Sequence, residues 1–302
     1  MFVWRYPDIV FINIDALTYA GKIDNINKEV QHADNYIFEQ CNINNISSLR
    51  EIYAKHKPTD CIHFAAESHV DNSIKNPSIF LETNVLGTNN LLLLHKEFKM
   101  KRFYYISTDE VYGELPLDDG DVKFTEQTPL SPSSPYSVSK ASWDMLTQSF
   151  GRTYGMDIVV SRCSNNYGPN QDTEKLIPHF ISKLMKWQKV PLYGDWSNIR
   201  DWLYVSDHCE AIRTIFDKAM AWSIYNIWTN NELANREIAY ILINHFWYNQ
   251  QMIEYVTDRL WHDKRYAIDS SKLQRELWWK PQISFELWIE KTISWYTKHL
   301  SP

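Results

Sequence analysis

Short apolar runs alternate with longer amphipathic stretches along the first half of this chain, and that alternation predicts a doubly wound α/β fold. Strands are expected at residues 9–14, 61–64, 103–106 and 158–161, and helices at 46–56, 79–99, 135–154 and 176–186. Phe103-Tyr104-Tyr105-Ile106 is aromatic and β-branched, as a strand covered on both faces of a parallel sheet should be. After about Cys163 the alternation loosens into loops, where a smaller lobe is expected, and the aromatic stretch 278–296 reads as a packing helix. No internal repeat, low-complexity tract or long linker interrupts the pattern.

The chemistry gathers at two places in this pattern. Thr108-Asp109-Glu110 follows the strand at 103–106, so two adjacent carboxyls fall at a strand's carboxyl end, the edge where open α/β sheets bind ligands. Two carboxyls in one pocket need not both ionise, which provides one acid and one base. Ser134-Pro135 can cap and open a helix, placing Tyr136 and Lys140 four residues apart on one face. A lysine ammonium favours the phenolate, so such a tyrosine can take a proton from an alcohol. If hydride leaves the same carbon, its acceptor is most simply a nicotinamide, because no side chain accepts hydride.

These segments, in this order, resemble the dTDP-glucose 4,6-dehydratases of the extended short-chain dehydrogenase/reductase superfamily. The resemblance runs from about Ile9 to the C-terminus. It is carried also by Asp15-Ala16-Leu17-Thr18-Tyr19-Ala20-Gly21, Phe64-Ala65-Ala66-Glu67-Ser68-His69-Val70-Asp71, Cys163-Ser164-Asn165-Asn166-Tyr167-Gly168-Pro169, Glu174-Lys175-Leu176-Ile177-Pro178, Arg200-Asp201-Trp202 and Asp258-Arg259-Leu260-Trp261-His262-Asp263. It implies NAD as cofactor and dTDP-glucose as substrate. Tyr136 would deprotonate the sugar's 4-hydroxyl, assisted by Lys140; Thr108 would bond the 4-hydroxyl region, Glu110 would remove the C5 proton, and Asp109 would protonate the departing 6-hydroxyl.

The same resemblance implies cofactor contacts from Asp15, Ala16, Leu17, Thr18, Asn42, Ile43, Phe64, Ala65, Ala66, Glu67, Thr83 and Asn166, beside Tyr136 and Lys140. Asp15 would accept the adenosine ribose hydroxyls. Substrate contacts are implied for Ser68, His69, Thr108, Asn165, Glu174, Lys175, Leu176, Pro191, Tyr193, Arg200, Asn231, Asp258, Arg259 and His262, with Arg200 suited to clamp a pyrophosphate. Residues 1–163 are expected to form the NAD-binding domain and 164–302 mainly the nucleotide-sugar lobe, interleaved with the first; a homodimer is implied. A nucleotide-sugar 4-epimerase would keep Tyr136 and Lys140 without needing Asp109 and Glu110. Related decarboxylases and other sugar-nucleotide dehydratases differ around Asp109.

Two departures from the family pattern stand out. The family opens with a strand and a Gly-x-x-Gly-x-x-Gly turn that lets the dinucleotide pyrophosphate approach a helix N-terminus. Here Met1 leads almost directly into the next strand, and no glycine precedes Gly21. The expected fold is therefore a Rossmann-like doubly wound parallel sheet lacking its first strand and glycine-rich loop, with a smaller α/β substrate-binding lobe. Its cofactor binding should be weak, and a catalytically dead binding protein is the alternative if the chain begins at Met1. Asn42 also stands where the family usually has an acid.

Composition supplies the second departure. The chain has 8 Gly and 13 Trp among 302 residues, where average usage predicts about 21 glycines. Trp187, Trp196, Trp228, Trp261, Trp278 and Trp288 fall at glycine positions of the family pattern, and Trp222 belongs with them. This predicts UGA codons that specify glycine in the source. The net charge of -6 without a Lys/Arg cluster argues against nucleic acid as a partner. No apolar run reaches transmembrane length, so no membrane partner is expected and the cytoplasm is the expected location. Cys41, Cys61, Cys163 and Cys209 are too dispersed for a metal motif and read as free thiols; no metal site is expected.

Overall fold

The computed structural model describes residues 1–194, 197–257, 263–282 and 284–300. Its strands are β1 (Phe11–Asp15), β2 (Tyr36–Gln40), β3 (Cys61–His63), β4 (Arg102–Thr108), β5 (Asp157–Cys163), β6 (Asn165–Tyr167), β7 (Val190–Tyr193), β8 (Ile199–Tyr204), β9 (Ile224–Ile227), β10 (Glu232–Ala234) and β11 (Ile253–Val256). The chain divides into two compact units. The first comprises Met1–Val111, Ser134–Ser161 and Arg213–Ile224; the second comprises Tyr112–Ser133, Arg162–Ile212 and Tyr225–Pro302.

β1 and β2 stand apart from the larger sheet. β1 and β2 pair in parallel as a two-stranded sheet, while a separate sheet has the order β3-β4-β5-β9, its first pair parallel. Among the described residues no strand bridges β1 and β3. Burial reports the consequence: from Phe103 to Thr108 every residue of β4 is buried, whereas β1 and β2 have no buried residue. The expected strand at 9–14 begins two residues later. Asn35 reaches the carbonyls of Val3, Tyr6 and Ile9 with its side-chain amide, and its own carbonyl accepts the Phe11 N–H that starts the ladder.

Both pieces of sheet in the first unit share one core, in which Leu49, Leu92, Leu94, Phe103 and Trp143 have no exposed surface. The helix Pro135–Tyr154 starts as expected: Pro135 occupies its first turn, and Ser134 and Ser137 form a reciprocal capping box. The helix expected at 79–99 is instead three consecutive pieces, Pro77–Phe80, a π-helical Leu81–Gly87 and Thr88–Glu97. In the second unit, β8 pairs antiparallel with β10 and parallel with β6, and β11 runs parallel to β7. Its core joins the helix Leu176–Met185 to Ile238, Leu242, Phe285 and Ile293. The packing helix expected from residue 278 begins only at Phe285, because Trp278 ends the preceding helix with a left-handed backbone.

That conformation recurs at tryptophan. Trp187, Trp222, Trp247 and Trp278 have φ of 58, 68, 60 and 61°, where a side chain crowds the backbone and glycine fits freely. Trp228 and Trp288, also expected to be glycine positions, have ordinary φ and pack instead, Trp228 beneath Lys123 and Trp288 stacked 3.8 Å from Tyr204. Trp196 and Trp261 lie outside the described residues.

Burial pushes the His63 imidazole down to about 3 and His95 down to about 4. Unfolding restores each to about 6.5, so the unfolded state binds more protons below that pH. Stability should be complete above about pH 6.5 and decline below it by up to about 1.4 kcal/mol per pH unit for each imidazole. Urea unfolding at pH 7 and pH 5 checks this: the midpoint should fall on acidification, and His63→Gln should lessen the fall.

Candidate active site

β4 carries its buried apolar run to Thr108, and the chain then turns through the short helix Asp109–Tyr112. Thr108 and Asp109 are buried while Glu110 is half-buried. The Thr108 hydroxyl donates to Asp109 Oδ1 at 3.2 Å and accepts from the Glu110 N–H at 3.4 Å, so the threonine organises both acids. Lys140 is buried and donates through Nζ to the Ile106 carbonyl at 2.7 Å. This bond pins the helix bearing Tyr136 to the strand two residues before Thr108. The same ammonium lies 4.6 Å from the centre of the Tyr105 ring, and Tyr136 is buried with its ring edge-on to Phe80. All five residues expected to be catalytic therefore belong to one unit, on one strand end and the helix docked against it.

A residue absent from the sequence expectations ties this corner together. Asn84 is buried in the π-helical segment, adjacent to Thr83. Its Oδ1 accepts the Glu67 N–H at 2.8 Å, and its Nδ2 donates to the Glu67 carbonyl and to Ser139 Oγ, each at 2.9 Å. Ser139 in turn donates to the Tyr136 carbonyl at 2.7 Å. One side-chain amide thus links the loop after β3 to the helix of Tyr136 and Lys140. Thr88 donates to the Asn84 carbonyl and pairs with His63, whose low pKa comes from burial first and the Lys140 charge second. The available signal was a polar, weakly helix-forming Asn amid Phe80, Leu81, Val85 and Leu86, and π-helical turns concentrate at functional sites.

All the expected cofactor residues except Asn166 lie in the same unit, most of them just beyond strand ends. Asp15 closes β1, exposed, and accepts the Leu17 N–H at 2.7 Å; Ala16, Leu17 and Thr18 follow it. Asn42, exposed, folds onto the Asn44 N–H, while Ile43 is buried and its carbonyl accepts from Asn90. Phe64 and Ala65 are exposed beyond β3, Ala66 is half-buried, Glu67 is held by Asn84, and Thr83 is half-buried. Ser68 is exposed, and His69 precedes the short helix Val70–Lys75.

The remaining expected binding residues belong to the second unit. Asn165 and Asn166 lie on β6; the buried Oδ1 of Asn165 has no hydrogen-bond partner among the described residues, whereas Asn166 is committed to His208 and the Ser164 carbonyl. Lys175 precedes the helix opened by Leu176 and lies 3.8 Å from the Glu174 carboxylate. Pro191 and Tyr193 lie on β7, and Asn231 immediately precedes β10. The buried Arg200 guanidinium stacks on Tyr266 and donates to the carbonyls of Ile199, Asp263 and Lys264. Asp258, Arg259 and His262 lie outside the described residues. Among the described residues no cluster of His, Cys, Asp and Glu could hold a metal ion, and none of the four cysteines is in a disulfide.

The profile of a family described as GDP-mannose 4,6 dehydratase matches residues 3–292. The dTDP-glucose 4,6-dehydratase of Shigella flexneri is 44% identical over 308 residues, covering 94% of this chain and 85% of the relative. Among solved structures, the dTDP-glucose 4,6-dehydratase DesIV of Streptomyces venezuelae, with NAD bound, is 40% identical with a TM-score of 0.93 over 97% of this chain and 90% of its own. A UDP-glucose 4-epimerase of Thermotoga maritima is 26% identical with a TM-score of 0.89 over 99% and 95%.

Proposed function

The chain belongs to the GDP-mannose 4,6 dehydratase family, and from that premise we propose that it converts dTDP-glucose to dTDP-4-keto-6-deoxyglucose and water. One observation carries the choice among family chemistries: a proton-transfer Tyr/Lys pair is pinned, through Lys140 and Ile106, to the strand end that bears a buried Asp109 beside Glu110. A 4-epimerase, which only oxidises and reduces C4, has no work for that second pair.

NAD, when bound, supplies the hydride acceptor for C4 and the hydride donor for C6. Tyr136 takes the proton of the sugar's 4-hydroxyl through Oη, with the Lys140 ammonium stabilising the phenolate. The C4 ketone acidifies the C5 proton, which Glu110 removes. Asp109 gives its proton to the 6-hydroxyl, which leaves as water, and the C5 proton is restored as C6 is reduced. Thr108 steadies both acids.

The described residues fit part of the cofactor. Asp15 presents an exposed carboxylate at the end of β1, as a ribose contact requires, and the exposed Phe64–Ala65 edge leaves room beyond β3. No glycine-rich turn for the pyrophosphate is found among the described residues, and assays should contain excess NAD. The proposal extends, on family resemblance, to a homodimer acting in the cytoplasm. No helix among the described residues is long and apolar enough to cross a membrane.

Single-turnover experiments test the reaction. Tyr136→Phe should lower the rate of C4 oxidation by about 10²-fold or more. Glu110→Gln should still build up reduced cofactor while water loss slows by about 10²-fold. Normal 4-keto-6-deoxy product from Glu110→Gln at the wild-type rate would sink the assignment.

A further inference from the structure

We propose that Asp201 is the positioning residue of the nucleotide-sugar lobe, holding two segments so that Asn165 and Asn231 present their amides to the ligand. The proposal rests on the binding role given above to those asparagines. Asp201 has no exposed surface and takes bonds from Ser164 Oγ at 2.6 Å, the Thr229 N–H and hydroxyl at 3.1 Å each, and the Asn231 N–H at 2.6 Å. The turn Thr229-Asn230-Asn231 wraps this carboxylate with Asn230 in the left-handed region, at φ 65°. The Thr229 hydroxyl, donating to Asp201, accepts from Asn231 Nδ2 at 3.1 Å, which orients the side-chain amide as well as the backbone. Ser164, one of the four donors, immediately precedes Asn165, whose Oδ1 has no partner among the described residues. Such a fully buried acceptor loses much when its charge is removed, because several donors are left with a weaker partner.

The test is calorimetric binding of dTDP, joined to steady-state kinetics with dTDP-glucose. Asp201→Asn should weaken dTDP and raise KM by about tenfold while kcat stays within about twofold, and the milder Thr229→Val should move both in the same direction with its thermal midpoint kept. Wild-type dTDP affinity in both variants overturns the role, and so does an affinity loss that only tracks the thermal midpoint. A wild-type chain that binds dTDP without turnover overturns the reaction assignment alone, because the dTDP constants of the two variants still read the role of Asp201.

A separate observation supports a second inference: Trp187, Trp222, Trp247 and Trp278 stand where the natural protein has glycine. Three of them end helices in glycine-type caps. After Leu176–Met185, the Trp187 and Gln188 N–H groups return to the carbonyls of Leu184 and Lys183; after Asn235–His245, those of Trp247 and Tyr248 return to Asn244 and Ile243. Both are Schellman pairs with tryptophan at the left-handed position, and Trp278 closes the simpler αL cap on Gln274. Gly155 fills the same place after Pro135–Tyr154. Lys57 and Lys99 show that other residues can be held there, but Trp187, Trp247 and Trp278 are 77, 94 and 86% exposed, although the Trp187 ring leans on Tyr248 at 4.8 Å. Trp247 joins the set on backbone geometry alone.

Peptide mass spectrometry of the protein purified from its source should find glycine at all four positions, and tryptophan there overturns the inference. In the recombinant chain, Trp247→Gly should raise the thermal midpoint more than Trp247→Ala, since only glycine relieves the left-handed backbone; equal effects would overturn the conformational argument.

Discussion

A buried ammonium on a backbone carbonyl organises the reactive end of this protein. Lys140 cannot lie in the interior without strong acceptors, and the Ile106 carbonyl supplies one at 2.7 Å. Satisfying that charge fixes how the helix Pro135–Tyr154 meets β4. The position of Tyr136 relative to Thr108, Asp109 and Glu110 then follows from helix pitch and strand rise rather than from flexible loops. The capping box of Ser134 and Ser137 anchors the helix at the turn that carries Tyr136, and Asn84 braces the next turn through Ser139. Proton transfer tolerates little positional error, and this corner is held by charge, cap and amide together.

The divided sheet places the weakest part of the first unit beside the edge where the dinucleotide is expected. β4 is buried along nearly its whole length, whereas β1 and β2 are only partly covered. The residues that would hold the adenosine half therefore sit on the less buried of the two pieces, and those that would move protons sit on the more buried one or on the helix docked against it. The proposed chemistry and the proposed adenosine contacts therefore rest on differently buried parts of the first unit.

Much of the first unit was legible because its signals are local. The helices at 46–56 and 135–154 match Ile46–His56 and Pro135–Tyr154, since caps and apolar spacing act within a few residues. Tyr36–Gln40 was missed because Glu39 and Gln40 interrupt its apolar pattern, and only pairing with β1 makes it a strand. The packing helix at 278–296 was read too long, since aromatic content alone does not reveal the left-handed stop at Trp278. Motif spacing singled out Thr108, Asp109, Glu110, Tyr136 and Lys140, which the structure places at the end of β4 and on the helix pinned to it. Asn84 and Asp201 escaped because their roles are made by partners distant in sequence, Glu67 and Ser139 for one, Ser164 and Thr229 for the other. Arg200, expected as a clamp, is engaged with carbonyls of residues next to the undescribed 258–262.

The way the chain is shared between its two units also constrains how it is made. The first unit is assembled from three stretches, the last of them Arg213–Ile224, and the second unit begins inside the first, at Tyr112. During synthesis, the first unit has emerged nearly complete by Ser161 yet must wait for residues 213–224, an interval of roughly 3–10 s at ordinary elongation rates. Arg102 is the side chain that waits: its guanidinium pairs with Asp157 at once but finds the carbonyls of Phe216 and Ala219 only after that delay. For those seconds the core of the first unit lacks its last stretch, the interval in which a ribosome-associated chaperone would have most to do.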